Sequence, residues 1–331
     1  MERRILGKTG LAVSVLGFGA AEIGFGVERE KAERLLLQAL ENGLNLIDTA
    51  ECYNNSEDFI GSSLAARRKE VYLMTKCGHK DHWELDAWKP KELKRSIEHS
   101  LKKLRTDYVD VLQLHGCNER LLRDGAVIEV LQKAKADGKA RFIGYSGDEQ
   151  AAAYAVACGA FDTLQTTLNF ADQKPLDALI PAAQEKNMGL IAKRPVANAV
   201  WRRKHIPPQV DKSLSARLKR IDSLWVRLKI ARLKQKLLKL GPINNFWDYG
   251  PRIKELNFDF IESDPEESLS TALRFTLAAP GVHCAIVGTT NPQHWIQNLH
   301  AVMKGPISEA EFAAIRKHWL EKRDPQWKTM G

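Results

Sequence analysis

Two rhythms of apolar and polar positions alternate along this chain. Short apolar runs closed by polar or glycine-rich turns predict strands at 13–18, 44–48, 71–76, 108–115, 141–146, 163–165, 189–193 and 283–287. Segments of helical period lie between them. Over 28–41 the apolar Ala32, Leu35, Leu36 and Ala39 share one face, and 90–104 opens on a proline, which suits a first helical turn. Eight strands alternating with helices predict an α/β fold whose parallel sheet closes into a (β/α)8 TIM barrel. Ahead of the first strand, Lys8-Thr9-Gly10 is a turn between two short extended pieces, so residues 3–12 are expected to form an N-terminal β-hairpin across the barrel floor.

The interval between the ends of the seventh and eighth strands, 193–287, is far longer than the other spacings and predicts an insertion over approximately 197–262. Within it Leu214, Leu218, Ile221, Trp225 and Leu228 recur at helical spacing, with Arg217, Lys219, Arg220, Arg227 and Lys229 in most of the other places. Charge concentrates in the same stretch. Residues 202–239 hold 13 Lys or Arg against Asp211 and Asp222, a net +11 in a chain whose formal total is +9. The remainder is therefore close to neutral, and the basicity belongs to one helical insertion after strand 7. Such a helix packs its apolar stripe on the barrel and keeps its charges in water, caps the cleft as a lid, or meets an acidic surface or partner protein. No recognition module for nucleic acid accompanies the charge.

Composition adds limits. With 331 residues, 44% of them hydrophobic, one barrel domain over 1–331 with enlarged loops is the expected organisation. No apolar run reaches the roughly 20 residues a membrane span requires. The opening Met1-Glu2-Arg3-Arg4 carries no apolar signal core, so the expected location is the cytoplasm. Five cysteines without zinc-motif spacing read as reduced thiols. Cys52, Cys77 and Cys117 each flank a residue of interest, but neighbours on a strand point to opposite sides, and no metal is expected.

The last polar residue of each strand carries the candidate chemistry. Asp48, Lys76, His115, Ser146, Gln165 and Lys193 end strands two to seven, and in a parallel barrel all emerge on the C-terminal face, where active sites of this architecture lie. Tyr53 follows Asp48 by five residues and is placed to lean over the mouth beside Lys76, whose ammonium is expected to lower the phenol's pKa. Such a tyrosine can act as a general acid toward a carbonyl oxygen. Asp48 would hold Lys76 by an ion pair, and His115 would orient or polarise the carbonyl. Gly17-Phe18-Gly19 lacks the third glycine of a dinucleotide fingerprint, and the helix after it starts only near Glu28. Lys193 could form a Schiff base, but a phosphate contact is the simpler reading.

Leu6-Gly7-Lys8-Thr9-Gly10-Leu11, Leu16-Gly17-Phe18-Gly19, Ile47-Asp48-Thr49-Ala50 with Tyr53, Thr75-Lys76 and Leu114-His115 together resemble the aldo-keto reductase family, over nearly the whole chain. The resemblance implies a catalytic tetrad of Asp48, Tyr53, Lys76 and His115, and NADPH or NADH as cofactor. It places Gly19, Ala20, Ser146, Gln165, Asn169, Lys193, Arg194, Gly288, Thr289, Thr290, His294 and Asn298 around that cofactor. Gly147, Lys193-Arg194, Gly288 and His294 depart from the family's usual residues, which leaves the choice between the two cofactors open. Ile23, Phe25, Trp83 and Trp201 are candidates for the wall of a small-molecule carbonyl site. The expected reaction is reduction of an aldehyde or ketone, sugar-type carbonyls included. The rival reading is a cofactor-binding regulatory or scaffolding protein of the same fold that acts through the basic insertion. Oligomeric state leaves no mark in the sequence.

Overall fold

The computed structural model describes residues 1–79, 85–202 and 249–330. Strands β1 (Arg3–Ile5) and β2 (Ala12–Ser14) pair antiparallel. Eight parallel strands follow: β3 (Leu16–Gly19), β4 (Leu46–Asp48), β5 (Tyr72–Cys77), β6 (Val109–His115), β7 (Ala140–Ser146), β8 (Thr163–Thr167), β9 (Gly189–Lys193) and β10 (Cys284–Val287). They form a closed barrel in sequence order, with β10 bonded to both β9 and β3. Among the described residues no helix is long and apolar enough to cross a membrane.

Helix α1 (Arg29–Glu41) forms because Ala32, Leu35, Leu36, Ala39 and Leu40 make one buried stripe at spacings of three and four. Further along, α2 (Pro90–Leu104) carries proline in its first turn, buries Leu93, Ile97, Leu101 and Leu104, and ends on Arg105 in the left-handed region. These stripes cover the outer face of the strands and make the largest apolar cluster.

Inside the barrel, side chains sort by height. Leu46, Met74, Val111, Ile191 and Ile286 fill the lower layers with Leu6, Leu11 and Val13 of the hairpin segment, so the hairpin does seal the floor. Two residues further along three of these strands, on the same inner face, stand Asp48, Lys76 and Gln113. The barrel is thus apolar below and polar above. Asn45 ties floor to wall: its side chain accepts from the Ser14 N–H at 2.6 Å and donates to the Ala12 carbonyl at 2.8 Å. The single strand expected at 13–18 is in fact two, broken at Val15, because Ser14 pairs in the hairpin while Leu16 already pairs with β10.

A second apolar cluster joins Phe170, Val200, Ile253, Phe258, Phe275, Ile315 and Trp319. It gathers the described ends of the long interval, including Ala197–Arg202 and Gly250–Leu256, with the capped helix Glu309–Lys322. The basic stretch from residue 203 on, and Trp83, lie outside the described residues.

Candidate active site

Strand register brings the polar residues together. Asp48 is level with Met74, two residues below Lys76, and Lys76 is level with Gln113 on β6. Lys76 Nζ donates to Asp48 Oδ2 at 2.6 Å and to the Thr49 carbonyl at 3.0 Å. The other carboxylate oxygen, Asp48 Oδ1, accepts from Gln165 Nε2 at 2.9 Å and from Gln113 Nε2 at 3.3 Å. Ser146 Oγ in turn donates to Gln165 Oε1 at 2.8 Å. One connected layer therefore spans β4, β5, β6, β7 and β8, and Asp48 and Lys76 are each about 2% exposed within it.

Tyr53 reaches this layer on a turn held by backbone bonds. Thr49 N donates to Met74 O at 2.9 Å, Glu51 N to Lys76 O at 3.2 Å and Tyr53 N to Ala50 O at 3.0 Å. Gly24 packs against the same turn so closely that a Cβ there would lie 1.8 Å from the Tyr53 carbonyl oxygen. Lys76 Nζ is 5.1 Å from the Tyr53 ring centroid, and the His115 ring meets the tyrosine edge-on at 5.7 Å. His79 lies 5.0 Å from His115, ring to ring, and 5.9 Å from Trp88. Cys52 Sγ stands 3.4 Å from His115 Nδ1.

Electrostatics here correct one expectation. Lys76 does pull the Tyr53 phenol down, but burial is the larger effect and the net direction is up. Burial likewise works against the Lys76 ammonium, yet Asp48, helped by Tyr53, outweighs it and raises that pKa. Tyr53 is thus a neutral phenol beside a fixed cation at neutral pH.

Other expected site residues divide into two groups. Lys193 is committed to Asp148, at 2.7 Å, a carboxylate that also accepts from Thr166 and from the Thr167 N–H. Arg194 donates to Thr167 Oγ1 and to the Met330 carbonyl, both at 2.9 Å, and opens a loop where Ala197, Asn198 and Ala199 all adopt left-handed φ. Asn169 is buried, donating to the Arg194 carbonyl at 3.0 Å. Trp201 packs edge-on against Phe170 and donates to Ser268 Oγ at 3.1 Å, within the second apolar cluster. Ile23 is fully buried and Phe25 half-buried near Gly24.

At the opposite rim, Gly19 and Gly288 face each other so closely that a Cβ on Gly288 would meet the Gly19 carbonyl oxygen at 2.9 Å. Ala20 N donates to the Asp48 carbonyl at 2.8 Å. Gly288 and His294 are exposed, Thr290 is half-buried, and Thr289 Oγ1 accepts from Asn291 N at 3.0 Å ahead of the helix Pro292–Met303. Asn298, on that helix, has a buried Oδ1 with no hydrogen-bond partner among the described residues. A close glycine approach, a helix N-terminus and an orphaned buried acceptor fit the phosphates and adenine of a dinucleotide. Sequence reasoning missed Gln113, Asp148 and the contact made by Cys52. Gln113 was recoverable, since it sits two residues before His115 and so shares its face.

The sequence model of the aldo/keto reductase family matches residues 15–320. The uncharacterized oxidoreductase YqkF of Bacillus subtilis is 26% identical, covering 96% of both chains. L-galactose dehydrogenase of Arabidopsis thaliana is 34% identical over 60% of this chain and 66% of its own length. Among solved structures, the holo form of aldo-keto reductase AKR11C1 from Bacillus halodurans superposes with a TM-score of 0.73, 26% identity and 96% coverage of both chains.

Proposed function

The chain belongs to the aldo/keto reductase family of oxidoreductases, and from that premise we propose that it reduces an aldehyde or ketone in the cytoplasm, with Tyr53 as proton donor. The observation that carries this reading is the convergence of four groups. The Asp48–Lys76 pair is buried at 2.6 Å, with the Tyr53 ring beside Lys76 and the His115 ring against Tyr53. A nicotinamide cofactor, NADPH or NADH, supplies the hydride when bound. Gly19, Ala20, Gly288, Thr289, Thr290, His294 and Asn298 would hold its phosphate and adenine end, with Lys193 and Arg194 toward a phosphate and Ser146 and Gln165 toward the nicotinamide. Tyr53 gives its proton to the carbonyl oxygen as charge develops there, and the Lys76 ammonium stabilises the phenolate left behind. Asp48 keeps Lys76 protonated and in place. The whole chain is read as one barrel domain, and L-galactose dehydrogenase among its relatives gives a reason to include sugar-type carbonyls among the substrates.

The test is titration of purified protein with NADPH and NADH, then absorbance-monitored turnover on aldehydes, ketones and oxidised sugars. Binding with turnover on at least one carbonyl is the expected result. Binding without turnover would move the protein to the regulatory reading, and no binding would defeat both.

Arg202 extends the reading to cofactor choice. His294, exposed at its edge in the first turn of Pro292–Met303, has its pKa lowered by partial desolvation of the ring and then by the nearby Arg202 cation. A 2′-phosphate seated between them would gain a charge-assisted hydrogen bond. Arg202→Ala should therefore weaken NADPH binding by about tenfold and leave NADH nearly unchanged. Equal loss for both cofactors would remove Arg202 from this role.

A further inference from the structure

The turn that carries Tyr53 also carries Cys52, and the sulphur of Cys52 lies 3.4 Å from Nδ1 of His115. A thiol and an imidazole nitrogen at this separation share one proton, and its position decides which tautomer the ring adopts. We propose that Cys52 is a positioning residue for carbonyl reduction: its thiol donates to His115 Nδ1 and thereby fixes the imidazole with its own proton on Nε2. The proposal rests on the tetrad reading given above.

Three observations favour this direction of donation. The backbone that presents Cys52 is fixed, since Glu51 N donates to Lys76 O and Tyr53 N to Ala50 O on either side of it. Its sulphur keeps the proton, because burial pushes the thiol up to about 12, against the pull of Lys76 and with the help of Glu57 and Glu51. A protonated thiol facing an unprotonated imidazole nitrogen makes an S–H···N bond, whereas a neutral thiol sulphur is only a weak acceptor for N–H. The consequence reaches the chemistry directly. A carbonyl oxygen gaining negative charge needs a donor, and only the tautomer with hydrogen on Nε2 can offer one across the ring from Cys52.

Serine preserves the donor and alanine removes it, so the pair of substitutions separates hydrogen bonding from packing. In the apoprotein, ¹⁵N NMR of the imidazoles reports the tautomer without any substrate, and His115→Gln identifies the His115 signal by its disappearance. The expected result is an Nε2–H tautomer in the native protein, a mixture of tautomers in Cys52→Ala, and recovery in Cys52→Ser. Turnover of the best carbonyl should fall about three- to tenfold in kcat for Cys52→Ala, the worth of one neutral hydrogen bond, with KM for cofactor and thermal midpoint unchanged. A native tautomer and native kcat in Cys52→Ala would overturn the proposal. Should His115→Gln itself turn over at the native rate, the tetrad reading is what fails, and the tautomer of Cys52→Ala still decides whether the thiol sets the ring.

Discussion

Replacing Tyr53 by Phe should lower kcat for carbonyl reduction by about 10²- to 10⁴-fold, the usual worth of a positioned general acid, while the barrel stays folded. The hydroxyl is the only group removed. Its ring keeps the edge-on contact with His115 and the place beside Lys76, and the turn beneath it is held by backbone bonds that do not involve the side chain. Cofactor affinity should change little, because the loss is confined to the step in which the proton moves. The pH profile gives an independent check. A general acid works in its protonated form, so reduction should stay level as pH rises until it passes the pKa of Tyr53 in the folded protein, and decline above that. Because burial sets that pKa above the ordinary phenol value, the decline belongs above pH 10. Oxidation of the product alcohol needs the phenolate and should rise over the same interval. Turnover of the Phe variant at the native rate, or a reduction limb that falls near neutral pH, would remove Tyr53 from the proton-donor role.

That upward direction was hidden from the sequence. From Lys76 alone the phenol is expected to fall, because charge type can be read from residue identity, whereas depth of burial depends on elements such as Gly24 and its segment that fold over the turn from 29 residues away. What the sequence did contain was the barrel and the height of each polar residue in it. The starts of α2 and β9 follow from their opening proline and glycine, and the rule that strand ends meet on one face was enough to bring Asp48, Lys76, His115, Ser146 and Gln165 together. Partners were harder to read than positions. Lys193 ends its strand as expected, yet its charge is taken up by Asp148, which comes alongside only through the pairing of Thr167 with Lys193 across β8 and β9. Arg194 meets the Met330 carbonyl, a contact 136 residues away along the chain that no local periodicity encodes.

The other large effect concerns stability as well as chemistry. Lys76→Met should cost about 3–5 kcal/mol, because it strips the cation from a buried carboxylate and leaves Asp48 in a layer that cannot solvate it. Gln165 and Gln113 still donate to Oδ1, but neutral amides do not replace an ammonium at 2.6 Å from Oδ2. Adding Asp48→Asn to that variant removes the stranded charge and keeps an acceptor for both glutamines. Most of the lost stability should then return, since replacing both members of a buried pair is far less costly than replacing one. Denaturant unfolding of the native protein, both single variants and the double variant measures the coupling directly. Activity should not return with stability: without the Lys76 ammonium, the phenolate that Tyr53 leaves behind has no cation beside it, so the restored fold remains a poor catalyst. A Lys76→Met protein within about 1 kcal/mol of native would show that the pair is more solvated than its geometry implies, as expected only of exposed ion pairs. A double variant that recovered turnover along with stability would show that Lys76 serves the fold alone and that Tyr53 gives up its proton without it.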